Sequence, residues 1–179
     1  MLRPFKIIAA IAALALAGPL AAQDGEPQAG GTLNVVIQPE PPGLMLGIVQ
    51  NGPTQMVAGD IYESLLRYDF DLKPEGQLAE SWEISEDGKT YTFKLRDGVT
   101  FHDGEPFTSE DVKFTMDVFL RETNPRTRTY MDRVESIDTP DDLTVVFNLK
   151  EPFGPFIGIF EQATAPMIPK HTYEGTDFV

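Results

Sequence analysis

The chain has 179 residues, 41% hydrophobic and 23% charged, within the range of one globular domain, alone or with a piece of another. Its 28 acidic residues against 14 basic ones give a formal net charge of −14, which argues against nucleic acid as a partner, because phosphate binding draws on clustered Lys and Arg. Cysteine is absent, so a disulfide framework, a thiolate metal site and a lipid-bearing Cys are excluded for this sequence.

Arg3 and Lys6 form a short positive head, Ile7 to Ala17 an apolar run, and Pro19-Leu20-Ala21-Ala22 a small-residue exit toward Gln23. This is the layout of a secretory signal peptide over residues 1–22, with cleavage expected after Ala22 and Ala15-Leu16-Ala17 as a competing site. The apolar run falls short of the ~20 residues that a membrane-spanning helix needs. The mature protein is therefore expected outside the cytoplasm, in a setting such as the Gram-negative periplasm, neither lipid-anchored nor embedded in a membrane. Residues 23–30, polar and containing Gly and Pro, read as a flexible lead-in. Residues 31–179 are the folding portion.

Leu33, Val35 and Ile37 alternate, which predicts a strand over 32–37, and the prolines Pro39, Pro41 and Pro42 end it in a loop. Pro53 and the spacing of Val57, Ile61, Tyr62, Leu65 and Leu66 predict a helix over 53–67. A hairpin follows: Trp82 and Ile84 alternate, Asp87-Gly88 turns, and Tyr91, Phe93 and Leu95 alternate again. Asp97-Gly98 and Asp103-Gly104 are further turns. Thr108 with Asp111 three residues on, and Phe107 opposite Val112, predict a capped and stapled helix that stops near Thr123-Asn124-Pro125. A second hairpin turns at Pro140-Asp141-Asp142, with Leu143, Val145, Phe147 and Leu149 on one face of its outgoing strand. A short helix over 153–160 and an extended segment over 165–168 complete the pattern. Trp82, Tyr91, Phe93 and Phe101 are assigned to core packing.

Little in this pattern carries reactive chemistry. His102 and His171 are the sole histidines and lie far apart in sequence, without the His-x-x-x-His spacing of a metal site. His102 is expected to bond turn backbone, and His171 to be a surface residue. No Gly-x-Ser-x-Gly elbow occurs, no Gly-rich loop follows a strand, and pairs among 28 carboxylates arise by chance alone. No cofactor is called for.

The series IYESLLRYD, LKPEGQLAESWEISEDGKTYTFKLRDGVTFHDGEPFTSEDVKFT, with GGTL before it and Pro-Phe and Pro-Lys-His after it, resembles the family 5 extracellular solute-binding proteins. These are peptide, dipeptide and nickel receptors of ABC importers. The resemblance implies an α/β fold of the two-lobed periplasmic binding protein type (type II), with a mixed sheet and antiparallel hairpins. Family members are much longer, and the Pro-x-Gly-Thr-Gly-Pro-Phe strand that follows in them is absent. The expectation is therefore an amino-terminal portion of the first lobe. The Phe-His-Asp-Gly turn belongs to the family signature as scaffold.

The resemblance also implies a function: capture of a small solute, an oligopeptide or dipeptide first among candidates, and its delivery to the membrane subunits of an ABC permease by a monomeric, non-enzymatic receptor. In two-lobed binders loops at strand ends line the cleft, which singles out Gln38, Glu40 and Pro41, joined by Asn51 and Thr54. Gln162, in the loop Glu161-Gln162-Ala163-Thr164, follows from its place in the family pattern. Glu40 is the expected partner of a peptide's amino terminus. A secreted hydrolase, or a periplasmic chaperone or sensor partner with the same fold, stays open at this point.

Overall fold

The computed structural model describes residues 30–178; the predicted signal peptide and nearly all of the lead-in lie outside them. The chain divides into two units, Met1–Val36 and Ile37–Val179. In the first, residues 30–36 carry no strand pairing, and Leu33 and Val36 are 86% and 85% exposed. The strand predicted over 32–37 is thus not formed. Alternation marks the residues that would fit a pleat, but a strand exists only where a neighbour completes its ladder.

The second unit is organised around a four-stranded antiparallel sheet. Strands β3 (Ala79–Ile84) and β4 (Thr90–Leu95) form the first predicted hairpin, and β5 (Val134–Asp141) and β6 (Thr144–Leu149) the second, in the order β3-β4-β6-β5. The hairpins join through β4 and β6, where Tyr91 stands opposite Phe147 and Phe93 opposite Val145. At the first turn Asp87 Oδ1 accepts from Ser85 Oγ at 2.6 Å and Lys89 N at 3.1 Å, and Gly88 takes the left-handed conformation (φ 68°) that Asp-Gly turns require. The second turn falls slightly later than predicted. β5 runs through Asp141, whose carboxylate accepts from Leu143 N at 3.0 Å and Thr144 Oγ1 at 2.9 Å. A separate two-stranded sheet pairs β1 (Leu66–Tyr68) with β2 (Pro74–Gly76). Every strand pair among the described residues is antiparallel.

One face of the large sheet is buried under helices. Phe93 and Phe147 meet Phe160 at ring centroids of 4.7 and 5.0 Å, Phe156 closes on Tyr91, and all five rings are almost inaccessible to water. Phe156 lies in, and Phe160 directly follows, the short helix predicted at 153–160, which is a 3-10 helix spanning Gly154–Ile159. Helix α2 (Ser109–Lys113) begins as its cap signals require. Asp111 Oδ2 accepts from Thr108 N and Thr108 Oγ1, both at 2.9 Å, while Phe107 and Val112 are buried. The helix widens into a π-helical stretch, Phe114–Phe119, then ends in α3 (Leu120–Thr123). In the wide turn the hydroxyl of Thr115 donates to Ile168 O at 3.1 Å and accepts from Ile168 N at 3.0 Å, pinning the buried extended segment near 168.

One predicted helix needs correction, and one further helix goes beyond the prediction. Helix α1 spans Gly52–Ala58 only, not 53–67. Gly59, a poor helix former, follows it, and Leu65 and Leu66 spend their apolar surface in the sheet core, with Leu66 already in β1. The capped helix stops at Thr123 as predicted, but Asn124-Pro125 at once starts another, α4 (Pro125–Met131), because Asn124 Oδ1 caps Arg126 N and Thr127 N. The chain closes with α5 (Lys170–Tyr173). Among the described residues no helix is long and apolar enough to cross a membrane.

Candidate functional site

Loop 38–50 begins with the residues singled out for ligand contact. Gln38 and Glu40 are exposed and Pro41 is half-buried. The remainder of the loop is held by hydrogen bonds and close packing. Asn51 caps α1 by accepting from Thr54 N at 2.9 Å, and the buried Thr54 donates its hydroxyl to Gly43 O at 3.0 Å. Both polar groups are thus spent on shaping the loop. Further along, Met45 Sδ accepts from Tyr62 OH at 3.0 Å, and Tyr173 OH lies 3.9 Å from the same sulfur. Gly47 packs on the π-helical stretch so closely that a Cβ would lie 2.7 Å from the Phe119 ring. Only glycine fits there. The side-chain nitrogen of Gln50 is buried without a partner.

Loop 161–164 is fixed in the same manner. Gln162 Nε2 donates to Gly59 O and to Tyr62 O, tying this loop to the segment between α1 and β1. Glu161 accepts from Ala163 N at 2.8 Å and from Thr164 Oγ1, which closes the turn on itself. Thr164 O then accepts from Asn124 Nδ2 at 3.1 Å and Thr127 Oγ1 at 3.0 Å. Thr123 Oγ1 donates to Gly47 O at 3.0 Å. The α3–α4 junction, residues 123–127, is therefore the common anchor of both loops. Sequence reasoning missed this junction. The Asn-Pro pair, a cap followed by a first-turn proline, is the signal that marks a second helix there.

Beside these loops lies a pocket of about 480 Å³. Tyr62, Phe101, Phe107 and Tyr173 supply aromatic wall, and Asp60, Glu63, His102 and Asp103 supply polar groups. None of the six residues singled out from the sequence lines it. His102 is exposed and makes no hydrogen bond among the described residues, so the expected bond to turn backbone is not formed. Its neighbour is the engaged group. Asp103 Oδ2 lies 2.7 Å from Nε2 of His171, and the ring of Phe101 meets the His171 ring edge-on at 5.8 Å. The hydrogen bond to Asp103 raises the His171 pKa above its ordinary 6.5, and the same bond lowers that of Asp103 below 3.8. His171 is at the surface as expected.

Chemically this is an arrangement for holding shape. The hydrogen bonds that fix the two loops end mostly on backbone carbonyls. No group of three or more His, Cys, Asp and Glu side chains converges as a metal site among the described residues.

A protein of Brucella ovis named for ABC transporter peptide binding is 37% identical over 176 residues, covering 95% of this chain and 32% of its own length. The glutathione-binding protein GsiB of Pectobacterium atrosepticum is 40% identical over 119 residues, covering 64% of this chain and 23% of its own. Among solved structures, the periplasmic binding protein DppA of Helicobacter pylori, in complex with the peptide STSA, superposes with a TM-score of 0.61 at 26% identity, over 74% of this chain and 30% of that one. The chain thus spans less than a third of the length of these relatives. Residues 73–178 match the family described as bacterial extracellular solute-binding proteins, family 5 Middle, and the chain belongs to that family.

Proposed function

We propose that the chain is part of the periplasmic receptor of an ABC importer, which captures a small peptide and hands it to the membrane permease. Family membership carries this reading, and the two loops held on one helix junction support it, because a binder needs exposed loops on a rigid frame. In this proposal Gln38, Glu40 and Pro41 contact the ligand directly, with Glu40 taking the peptide's amino terminus. Asn51, Thr54 and Gln162 set the loops that present these contacts. Ligand capture proceeds by closure of two lobes, of which this chain contributes part of the first. The protein is exported by residues 1–22, works as a monomer and catalyses no reaction.

The test is native mass spectrometry of the intact gene product purified from periplasm, before and after mild denaturation. A released series of peptide masses is the expected result. A folded protein that repeatedly carries nothing, together with a flat thermal-shift screen against peptides, would overturn the proposal.

A further inference from the structure

Six arginines fall among the described residues, and five have their guanidinium groups committed. Arg67 pairs with Glu75 at 3.0 Å, and Arg96 donates to Gln77 O at 2.6 Å. Arg121 donates to Met131 O at 2.6 Å, and Arg128 donates to Arg121 O at 2.6 Å and Glu122 O at 2.7 Å. Arg133 pairs with Glu151 at 3.1 Å and lies 4.2 Å over the Phe153 ring. Arg126 is the exception. Its side chain is exposed and has no partner among the described residues, yet its backbone is held, with N donating to Asn124 Oδ1 at 3.0 Å.

The position of this uncommitted cation matters. Arg126 sits inside the junction that anchors both loops, between Thr123, bound to Gly47, and Thr127, bound to Thr164. In a chain of net charge −14, carboxylates are plentiful partners, so an arginine left free at this place keeps its fork available for an external anion. We infer that Arg126 is a specificity-determining residue that receives a carboxylate of the ligand. This deepens the peptide-receptor proposal and rests on it: Glu40 on one loop and Arg126 at the junction would select a molecule carrying both an ammonium and a carboxylate group.

The experiment measures binding of trialanine and of trialanine carboxamide to the intact gene product by calorimetry, for the unaltered protein, Arg126→Gln and Arg126→Lys. The expected result is a preference for the free acid of about tenfold or more, the scale of one charge-assisted hydrogen-bonded pair. Arg126→Gln erases that preference by weakening only the acid, and Arg126→Lys, which keeps the charge without the fork, retains part of it. Because the side chain has no internal partner, melting temperatures stay unchanged. A preference for the acid that survives Arg126→Gln, or a free acid and amide bound equally by the unaltered protein, would overturn the assignment alone. Failure of the unaltered protein to bind either peptide would overturn the assignment together with the peptide reading.

Discussion

The four-stranded sheet and the two loops on the α3–α4 junction are built by opposite rules. In the sheet and the helix beside it, the elements follow from residues one to four places apart: alternating Tyr91, Phe93 and Leu95, a turn at Asp87-Gly88, and a cap at Thr108 and Asp111 that starts α2. In the loops, the deciding partners are distant in sequence. Thr54 and its acceptor Gly43 are 11 residues apart, Asn124 and Thr164 are 40, Thr123 and Gly47 are 76, and Gln162 and Gly59 are 103. A frame specified locally tolerates change in whatever it presents, whereas a loop specified at a distance is only as well defined as the frame beneath it. Such a division lets one architecture carry different ligand sites.

The largest effect should come from breaking the frame. Phe147 is fully buried and meets Phe93, Phe156 and Phe160 at 5.9, 5.7 and 5.0 Å. Phe147→Ala removes one ring from this cluster and leaves a cavity, at a cost of about 3–5 kcal/mol. Urea unfolding measures the loss. A cost below about 1 kcal/mol would mean that the aromatic cluster does not hold the sheet and its covering helices together.

Next comes a break confined to the loop. Gly47→Ala places a Cβ against the Phe119 ring, so loop 38–50 must lift from its seat, at a cost of about 1–3 kcal/mol. Hydrogen exchange should then accelerate at Ile48 N and Val49 N, which donate to Met45 O, while amides of β4 and β6 keep their protection. Faster exchange spread evenly over loop and sheet would erase the contrast between the two regions.

These two regions also mark what the sequence discloses. Both hairpins, the start of α2 and the short helix before Phe160 were legible because each is written in a local signal that no distant residue overrides. Residues 32–37 look like a strand because Leu33, Val35 and Ile37 alternate, but pairing belongs to the neighbour, and sequence alone does not supply one. The helix that the sequence predicts over 53–67 overruns α1 for a related reason. Leu65 and Leu66 fit a helical stripe equally well as a buried strand entry, and only the sheet core decides between them. At the candidate site, Asn51 and Thr54 are singled out by their place before α1 and Gln162 by its place in the family pattern. What their side chains bond, and that the junction 123–127 joins those loops, emerged only from the fold.

A smaller effect probes the seam between frame and tail. Asp111 is nearly buried, accepts from Thr108 N and Oγ1, and also takes Lys170 N at 2.9 Å through its other oxygen. Asp111→Ala strips the helix of its cap and leaves two backbone donors unmatched, for a loss of about 1–2 kcal/mol. The same measurement on Thr108→Ala, which removes only the hydroxyl, should give about half that value or less. Equal losses would show that the carboxylate's reach to Lys170 contributes nothing.

The gentlest prediction concerns the pair that joins the Phe-His-Asp-Gly turn to α5. Both partners are substantially exposed, so the contribution to stability is small, but its pH dependence has a definite sign. His171 has a raised pKa in the folded protein. The stability it supplies is fully present below its unfolded value of 6.5 and disappears as pH rises through the raised folded value. Asp103 behaves in the opposite sense: its contribution is present above 3.8 and is lost as pH falls through the lowered folded value. The pair is thus fully ionised only between the lowered pKa of Asp103 and the raised one of His171. Titration of the His171 ring by NMR should place its midpoint above 6.5, and Asp103→Asn should bring it back toward that value. A His171 midpoint at or below 6.5 in the unaltered protein would mean that the turn and α5 are held by Phe101 packing and the Lys170 contacts alone, without help from charge.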